Sequence, residues 1–262
     1  MSLTPDQIEQ AADLLAAADA EAAPVGQLTE RFPGMDLADA YAIQQLNLAG
    51  HLRAGRTLVG HKIGLTSEPM QTLLGVDEPD FGYILDSMVL PNGSTIQGER
   101  FCAPRVEPEV AFLLGEPLRG PGVTVDDVRA ATDAVAVALE IVDSRIADWK
   151  LTLRDTVADN ASSGAVVLGE WMPYCANVEL AAARAALWLN DIEVDSGLGA
   201  AVLGDPAAPV AWLANAVAPF GTELLPGQFV MSGSFTTAAF VHPGDTASAT
   251  ITGLGSVSLS FI

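Results

Sequence analysis

RVEPEVAFLL at residues 105–114 predicts a long β-strand in which two glutamates share one face. Alternate side chains of a strand point to the same side, so Glu107 and Glu109 are expected to lie close together. Pro108 stands between them without an N–H group, which indicates a strand edge or a β-bulge. Two neighbouring carboxylates repel each other unless a proton or a cation lies between them. The alternative is a solvated face on an exposed strand.

A third carboxylate lies inside the apolar stretch AVAVALEIV at residues 134–142. Ionised and unpaired in a core, Glu140 would cost several kcal/mol, so it must be protonated, paired or bound to a metal. Arg105 and Arg145 are the candidate partners for an ion pair. Three strand carboxylates without a nearby cysteine or histidine form an all-oxygen donor set, which suits Mg²⁺ or Mn²⁺ better than Zn²⁺.

Lysine is scarce in this chain, and one of its two lysines falls in a predicted strand. Lys62 lies within LVGHKIGL, residues 58–65, and the other lysine is Lys150. The flanking Gly60 and Gly64 leave room for the close approach of a backbone or a ligand. Such a lysine can act as an acid, a base or an anion anchor, and an ion-paired structural lysine is the alternative.

The remaining pattern predicts an α+β fold with a helical N-terminal part and a β-rich remainder. Capping and periodicity predict three helices, at residues 5–20, 37–53 and 208–218. In the second of these, Leu37, Tyr41, Leu48 and Leu52 recur at helical spacing. Further strand-like segments lie at residues 57–65, 165–168, 185–189 and 229–232, with two more at the C-terminus. We expect a helical part over residues 1–75 and a catalytic β-rich domain over residues 76–262.

Composition excludes several classes of function. The 262 residues carry 12 Lys+Arg and 33 Asp+Glu, a formal charge of −21, which disfavours nucleic acids and anionic membrane surfaces as partners. No run of ~18 apolar residues predicts a membrane span, and no signal-peptide pattern is present, so we expect a cytoplasmic protein. Cys102 and Cys175 form neither a disulfide framework nor a zinc-ligand spacing.

Around Lys62 and the three glutamates, the sequence resembles the family of 2-keto-4-pentenoate hydratases and 4-oxalocrotonate decarboxylases, within the fumarylacetoacetate hydrolase superfamily. The resemblance runs nearly end to end and rests on ordered motifs. These are GHKIGLTS (60–67), GVDEPDFG (75–82), PRVEPE (104–109), ALEIVDSR (138–145), DTVADNAS (155–162) and GLGSV (253–257).

The resemblance implies a divalent-metal lyase with a mixed β-roll core of the fumarylacetoacetate hydrolase C-terminal type. The family's metal ligands fall on the three glutamates already singled out, Glu107, Glu109 and Glu140. Its active-site lysine falls on Lys62 and its loop acid on Asp80. The candidate substrate-binding residues are Ser162, Asn160 and Arg105. The implied assembly is a homo-oligomer, a pentamer or a decamer, that can also associate with another enzyme of its pathway.

The implied reaction is the hydration of 2-hydroxypenta-2,4-dienoate, or a short alkyl homologue, to 4-hydroxy-2-oxopentanoate. Such a step belongs to the meta-cleavage catabolism of aromatic or steroid rings. Decarboxylation of 4-oxalocrotonate at the same site is the first alternative, because a metal-bound 2-keto acid with a second carboxylate in the β position can lose that carboxylate as CO₂ and give the same enolate. A non-catalytic paralogue within a pathway complex is the second. The sequence favours a short monocarboxylate substrate.

Overall fold

The computed structural model describes residues 2–67, 71–72, 75–175 and 178–262. No helix in these ranges is both long and apolar enough to cross a membrane. The chain begins with α1 (Pro5–Glu21), α2 (Leu28–Arg31) and α3 (Leu37–Arg53). Thr4 and Asp36 each close a capping box at the start of a long helix, which satisfies backbone N–H groups that otherwise lack partners. The predicted helix bounds are therefore confirmed to within a residue.

The buried face of α3 differs from the predicted stripe. Leu52 is 44% exposed, whereas Ala40, Ile43 and Gln44 are buried together with Leu48. The helix packs against α1 on one side and against a later helix, α5 (Leu153–Ala158), on the other. A polar residue is accommodated on this face because the Gln44 amide donates to two backbone carbonyls, those of Phe81 and Val157.

Fourteen strands lie in the described part of the chain and are numbered in order. They are β1 (Leu58–Gly64), β2 (Asp80–Leu85), β3 (Val89–Leu90), β4 (Ser94–Ile96), β5 (Arg105–Leu114), β6 (Thr132–Val142), β7 (Ser163–Leu168), β8 (Met172–Pro173), β9 (Arg184–Leu189), β10 (Ile192–Leu198), β11 (Phe229–Met231), β12 (Ala239–Phe240), β13 (Thr246–Ile251) and β14 (Gly255–Phe261).

The strands form two mixed sheets. The larger has the order β2-β1-β11-β5-β6-β7-β3, with β12 added to β5 and β8 added to β6. The smaller has the order β10-β9-β13-β14-β4. The sheets pack together through β5, β6 and β7 on one side and β9, β13 and β14 on the other. Apolar side chains of α4 (Val125–Ala131) and α6 (Ala207–Val217) extend the same core. The predicted α+β class, with helices at the N-terminus, is confirmed.

The first strand joins the main sheet next to its edge strand, β2. β1 pairs in parallel with β11 and antiparallel with β2, so it hydrogen-bonds to strands that come later in the chain. Residues 58–64 thus contribute to the main sheet, while α1 and α3 form a separate small core with α5. The division of the chain into residues 1–75 and 76–262 stays a prediction.

Candidate active site

Lys62 lies on β1, in the register position opposite Gly82 of β2, and its side chain is buried. Its Nζ donates to the carbonyl of Ala161 at 3.0 Å and lies 3.6 Å from Oε1 of Glu140. Burial alone would lower the pKa of Lys62. Nearby negative charges outweigh burial and raise this pKa, so Lys62 is an ammonium at neutral pH. The carboxylates responsible are those of Glu140, Asp80, Glu109 and Glu107.

Glu140 and Glu107 are directly opposite each other in the antiparallel pair of β5 and β6. Glu140 has no exposed surface, and neither of its carboxylate oxygens receives a hydrogen bond from a donor among the described residues. Burial raises the pKa of Glu140 to about 7, although the charge of Lys62 opposes the shift. The charge of Lys62 therefore holds Glu140 in place, and the lone pairs of its two oxygens accept no hydrogen bond from the described residues.

The other two glutamates contact the loop that follows β11. The backbone N–H of Gly233 donates to Oε2 of Glu109 at 2.8 Å, and a hydrogen bond from Ser234 lowers the pKa of Glu107 against the effect of burial. Burial raises the pKa of Glu109 well above its usual range, and the charges of Glu140 and Glu107 raise it further. The three predicted metal ligands thus lie in one buried, strongly acidic cluster.

Asp80 begins β2 and is also buried, with no hydrogen-bond donor for its Oδ1 among the described groups. Burial raises its pKa, and the charge of Lys62 opposes this shift. Gly64 explains how closely the two side chains approach. A Cβ on Gly64 would lie 2.3 Å from Oδ1 of Asp80 and 3.2 Å from Nζ of Lys62. Asp80 and Lys62 therefore approach each other beside Gly64, where a larger residue would collide with Asp80.

Asn160, Ala161 and Ser162 form a tight turn before β7, and all three have left-handed φ angles of 54°, 50° and 53°. Non-glycine residues adopt this conformation at a cost of roughly 1–3 kcal/mol each, and such strain concentrates at functional sites. The Ser162 hydroxyl lies 3.3 Å from that of Thr156, which also hydrogen-bonds to Asp80. The turn therefore delivers the Ala161 carbonyl and the Ser162 hydroxyl to the buried cluster.

Neither arginine proposed as a partner for Glu140 pairs with it, so that prediction is wrong. Arg145 is buried and instead forms an ion pair with Asp159, with Nε 2.5 Å from Oδ1. Its terminal nitrogens donate to the carbonyls of Asp159 and Ser163. Lys62 pairs with Glu140 instead, whereas Arg145 follows β6 and is held at the Asn160 turn by Asp159 and the carbonyl of Ser163.

Arg105 starts β5, and its guanidinium lies between two aromatic rings. The guanidinium carbon is 4.2 Å from the ring centre of Trp149 and 4.1 Å from that of Phe240. Its Nε is buried without an acceptor among the described residues. Cation–π stacking of this kind fixes the orientation of an arginine and leaves N–H groups for an anion. Contact of Arg105 with substrate stays a prediction.

A cavity of about 550 Å³ opens on the other side of the Asn160 turn. Asp19, His51 and the Arg145–Asp159 pair are among the residues that line it. Lys62, Asp80 and the three glutamates do not contribute to its lining. The turn thus separates this cavity from the acidic cluster, and the cavity is not part of the candidate site.

The donor set fits a hard divalent cation. Four buried or half-buried carboxylates (Asp80, Glu107, Glu109, Glu140) face one ammonium, a formal balance of −4 + 1 = −3. Both oxygens of Glu140 and one of Asp80 lack donors. Within the described ranges, no three acid, histidine or cysteine side chains already stand in a finished metal-binding arrangement. Binding of a metal ion would therefore require the glutamate side chains to rotate towards it. The excess of negative charge in the cluster favours such a cation.

Sequence reasoning missed several residues that hold this site together. Thr156 and Gly82 lie within quoted motifs, but nothing local marked their contacts with the Asn160 turn. The loop of Ser232, Gly233 and Ser234 was not singled out at all. The only mark of this loop in the sequence is Ser-Gly-Ser directly after a short apolar strand, which is a weak pattern. The loop reaches the glutamates because that strand, β11, pairs with β5.

Comparison with known proteins finds relatives over nearly the whole chain. The family model of the fumarylacetoacetate hydrolase C-terminal domain matches residues 42–261. The chain is 44% identical over 236 residues to a 2-hydroxyhexa-2,4-dienoate hydratase of Comamonas testosteroni, covering 89% of each chain. It is 42% identical to a 2-keto-4-pentenoate hydratase of Paraburkholderia xenovorans (strain LB400), covering 99% of this chain and 96% of that protein.

A solved structure is similar over the whole chain. It is the 4-oxalocrotonate decarboxylase from Pseudomonas putida G7 complexed with magnesium and adipate. The two share 36% sequence identity with a TM-score of 0.97, covering 100% of this chain and 99% of that one.

Proposed function

Because this chain belongs to the family of 2-keto-4-pentenoate hydratases and 4-oxalocrotonate decarboxylases, within the fumarylacetoacetate hydrolase superfamily, we propose that it hydrates a short 2-hydroxy-2,4-dienoate. The substrate is 2-hydroxypenta-2,4-dienoate or a short alkyl homologue, and the product is the 4-hydroxy-2-oxo acid. The observation that carries the proposal is the close approach of Lys62 and Asp80 beside the buried Glu109 and Glu140 and the half-buried Glu107. The two relatives that are named as hydratases support hydration as the reaction.

Glu107, Glu109 and Glu140 would hold a divalent ion, which we infer to be Mg²⁺ or Mn²⁺. When bound, the ion would supply positive charge for the carboxylate and the 2-oxygen of the substrate. The hard oxygen donors and the excess negative charge support this assignment. The structure of the decarboxylase with magnesium supports the choice of a divalent cation.

Lys62 and Asp80 have the properties needed to move protons. Overall, C5 and C3 each gain a proton, the 2-hydroxyl loses one, and the hydroxyl of water joins C4, so that one water is consumed. Lys62 enters as an ammonium that can donate a proton and stabilise developing negative charge. Burial raises the pKa of Asp80, which makes it a better proton acceptor than an exposed carboxylate.

Two further residues are proposed to contact the substrate. Ser162 brings its hydroxyl into the hydrogen-bond network of Thr156 and Asp80. Arg105 offers a guanidinium held between Trp149 and Phe240, with an Nε that has no acceptor. An anionic group of the substrate would satisfy that donor, which supports the binding of an organic acid.

Decarboxylation of 4-oxalocrotonate is the second candidate, and similarity to the decarboxylase over the full chain favours it. Purified protein with Mg²⁺ or Mn²⁺ is given 2-hydroxypenta-2,4-dienoate and 4-oxalocrotonate in parallel, while dienol absorbance and CO₂ are followed. Loss of the dienol absorbance from the first substrate with formation of 4-hydroxy-2-oxopentanoate supports the hydratase. Release of CO₂ from the second without hydration of the first supports the decarboxylase. Absence of both activities together with no binding of divalent metal supports a non-catalytic paralogue.

We also propose a cytoplasmic homo-oligomer, a pentamer or a decamer, acting in aromatic or steroid meta-cleavage catabolism, with a possible pathway-enzyme partner. The family resemblance supports this assembly. The names of the relatives support the pathway. Light scattering of the purified protein tests the subunit number, and co-purification with neighbouring pathway enzymes tests the partner.

A further inference from the structure

The side chain of Asn160 is already occupied by the protein backbone. Its Oδ1 accepts from the N–H of Tyr83 at 2.8 Å, and its Nδ2 donates to the carbonyl of the same residue at 3.0 Å. The amide therefore pairs with β2 as a neighbouring strand would. Both ends of the amide are used in this way, and Asn160 is a buried residue with 7% of its surface exposed.

This pair closes a ring of contacts around Lys62. Lys62 is opposite Gly82 in the β1–β2 ladder, and the next residue, Tyr83, is bonded to Asn160. Ala161 follows Asn160 and accepts the hydrogen bond from Nζ of Lys62 at 3.0 Å. The position of the Ala161 carbonyl relative to the ammonium is therefore fixed through one side-chain amide.

Close packing makes the ring specific. A Cβ on Gly82 would lie 2.5 Å from the carbonyl oxygen of Asn160 and 2.9 Å from its Oδ1, so β2 and the turn approach as closely as glycine allows. The turn itself is strained, with left-handed φ angles at three consecutive non-glycine residues. Strain of this kind persists only where surrounding contacts impose it. The Asn160–Tyr83 pair is one such contact.

We propose that Asn160 is a positioning residue, which holds the Ala161 carbonyl against Lys62 and does not contact substrate. This assignment replaces the expected substrate contact of Asn160, and it rests on the proposed function for its kinetic test. Loss of the amide would let the turn relax and move the acceptor of the Lys62 ammonium. Small displacements of catalytic groups reduce turnover more than they reduce binding, because alignment matters most in the transition state.

The chain offers a matched control for the test. Asn215 on α6 makes the same kind of amide-to-backbone clip, accepting from the N–H groups of Gly122 and Val123 and donating to the carbonyl of Val123. This clip belongs to the packing of α6 and makes no contact with Lys62, Asp80 or the glutamates. Asn160→Ala removes two buried amide-to-backbone hydrogen bonds beside Lys62, and Asn215→Ala removes three exposed or half-buried ones away from it.

The first measurement is steady-state kinetics of dienoate hydration. For Asn160→Ala we expect kcat to fall about 10- to 100-fold with KM within about twofold of wild type. Asn215→Ala is expected to keep both parameters within about twofold, whatever it does to the melting temperature. A higher KM with unchanged kcat in Asn160→Ala would show a direct substrate contact and overturn the proposal. Unchanged kinetics would also overturn it.

The second measurement does not depend on activity. The chain has two lysines, so a protein labelled with ¹⁵N at lysine Nζ gives two side-chain signals by NMR, and Lys150→Arg identifies the signal of Lys150. We expect Asn160→Ala to shift the Lys62 signal and Asn215→Ala to leave it in place. An unchanged Lys62 signal in Asn160→Ala overturns the inference even if the protein proves not to be a hydratase.

Asn160→Asp covers the case in which the alanine variant fails to fold. Aspartate keeps an oxygen for the N–H of Tyr83 and loses the donor to its carbonyl. We expect kcat to fall and the Lys62 signal to shift, because the Tyr83 carbonyl loses its donor and a buried negative charge is added beside the Asn160 turn. Wild-type values of both in Asn160→Asp would contradict the proposal.

Discussion

The ammonium of Lys62 lies 3.6 Å from a carboxylate oxygen of Glu140, and both groups are buried. Lys62 is the nearest cation to Glu140 among the described residues, since Arg145 pairs with Asp159. A buried pair of this kind is expensive to break, because removing one member leaves the other charge uncompensated. The pair links the residue proposed to move protons with a residue proposed to hold the metal.

Lys62→Met should abolish most of the hydratase activity. Methionine fills a similar volume but carries no proton and no charge, so we expect kcat to fall by at least about 100-fold. Lys150→Met is the matched control, because Lys150 is exposed and pairs with Asp148. That variant should retain wild-type kcat. Wild-type turnover in a folded Lys62→Met protein would remove Lys62 from the mechanism.

Glu109→Gln should have opposite effects on metal binding and on metal-free stability. The negative charges around Glu109 oppose its ionisation, and glutamine can still accept from the N–H of Gly233. We therefore expect the metal-free variant to melt at a higher temperature than the wild type. We also expect its affinity for Mn²⁺, measured by calorimetry, to fall at least about tenfold, because a ligand oxygen has lost its charge.

Glu193→Gln is the control for this experiment, since Glu193 pairs with Arg184 on the surface. It should change neither the affinity for Mn²⁺ nor the rise in melting temperature that Mn²⁺ produces. Equal binding of Mn²⁺ by wild-type and Glu109→Gln proteins would contradict the assignment of Glu109 as a metal ligand.

Gly64→Ala should impair both folding and activity. Its Cβ would lie 2.3 Å from Oδ1 of Asp80, closer than real Cβ contacts allow. Overpacking in a buried site costs about 1–3 kcal/mol, and the acid–lysine pair would be displaced. Urea denaturation and kcat measure the two effects. Gly50→Ala is the control, because no atom lies within 4 Å of its Cβ in α3, and it should stabilise the helix by about 0.5–1 kcal/mol. A fully active Gly64→Ala protein would show that the approach of Asp80 to Lys62 is not needed.

His61 should make stability depend on pH. Burial lowers its pKa from 6.5 to about 4, although a hydrogen bond from the imidazole to the side chain of Gln228 opposes the shift. Between these values the unfolded chain binds a proton that the folded chain does not, so stability falls as the pH drops from about 6.5 to about 4. The contribution is at most about 3 kcal/mol.

Denaturation of wild-type and His61→Gln proteins across this range measures that contribution. The difference in stability between them should change with pH over the window of His61. His242→Gln, at an exposed histidine, should follow the wild type. Parallel curves for wild type and His61→Gln would show that His61 is not a buried neutral group.

Arg105→Lys should weaken substrate binding. Lysine keeps the charge but loses the planar contact with the rings of Trp149 and Phe240. We expect KM to rise about tenfold with a smaller change in kcat, as for a group that binds the substrate without taking part in the reaction. Arg184→Lys serves as the control at an exposed arginine. An unchanged KM in Arg105→Lys would exclude Arg105 from the substrate site.

Local patterns in the sequence predicted much of the fold. The bounds of α3 and β5 are the predicted ones, because capping residues and the spacing of apolar side chains act over a few positions. The exposed Leu52 departs from this, since the face that α3 buries depends on α1 and α5. β2, which begins at Asp80, was not predicted as a strand because its first residue belongs to a turn-like Glu-Pro-Asp sequence.

The contacts within the candidate site depend on pairings across the chain and could not be read from local patterns. The sequence indicated Glu140 as a carboxylate inside an apolar strand and Lys62 as one of only two lysines, but it did not connect them. Their proximity arises only in the folded sheet, because β11 and β5 stand between β1 and β6 in the strand order and the Lys62 ammonium still lies 3.6 Å from Glu140. The occupation of the Asn160 amide by Tyr83 likewise depends on residues 77 positions apart.

The most direct test of the central claim is metal-dependent hydration of 2-hydroxypenta-2,4-dienoate by the purified protein. The dienol absorbance is followed after removal of metal by a chelator and again after addition of Mg²⁺ or Mn²⁺, and the product is identified by NMR. We expect no turnover without metal, restored turnover with it, and 4-hydroxy-2-oxopentanoate as the product. Full turnover in the metal-free protein, or no hydration in the metal-loaded protein, would contradict it.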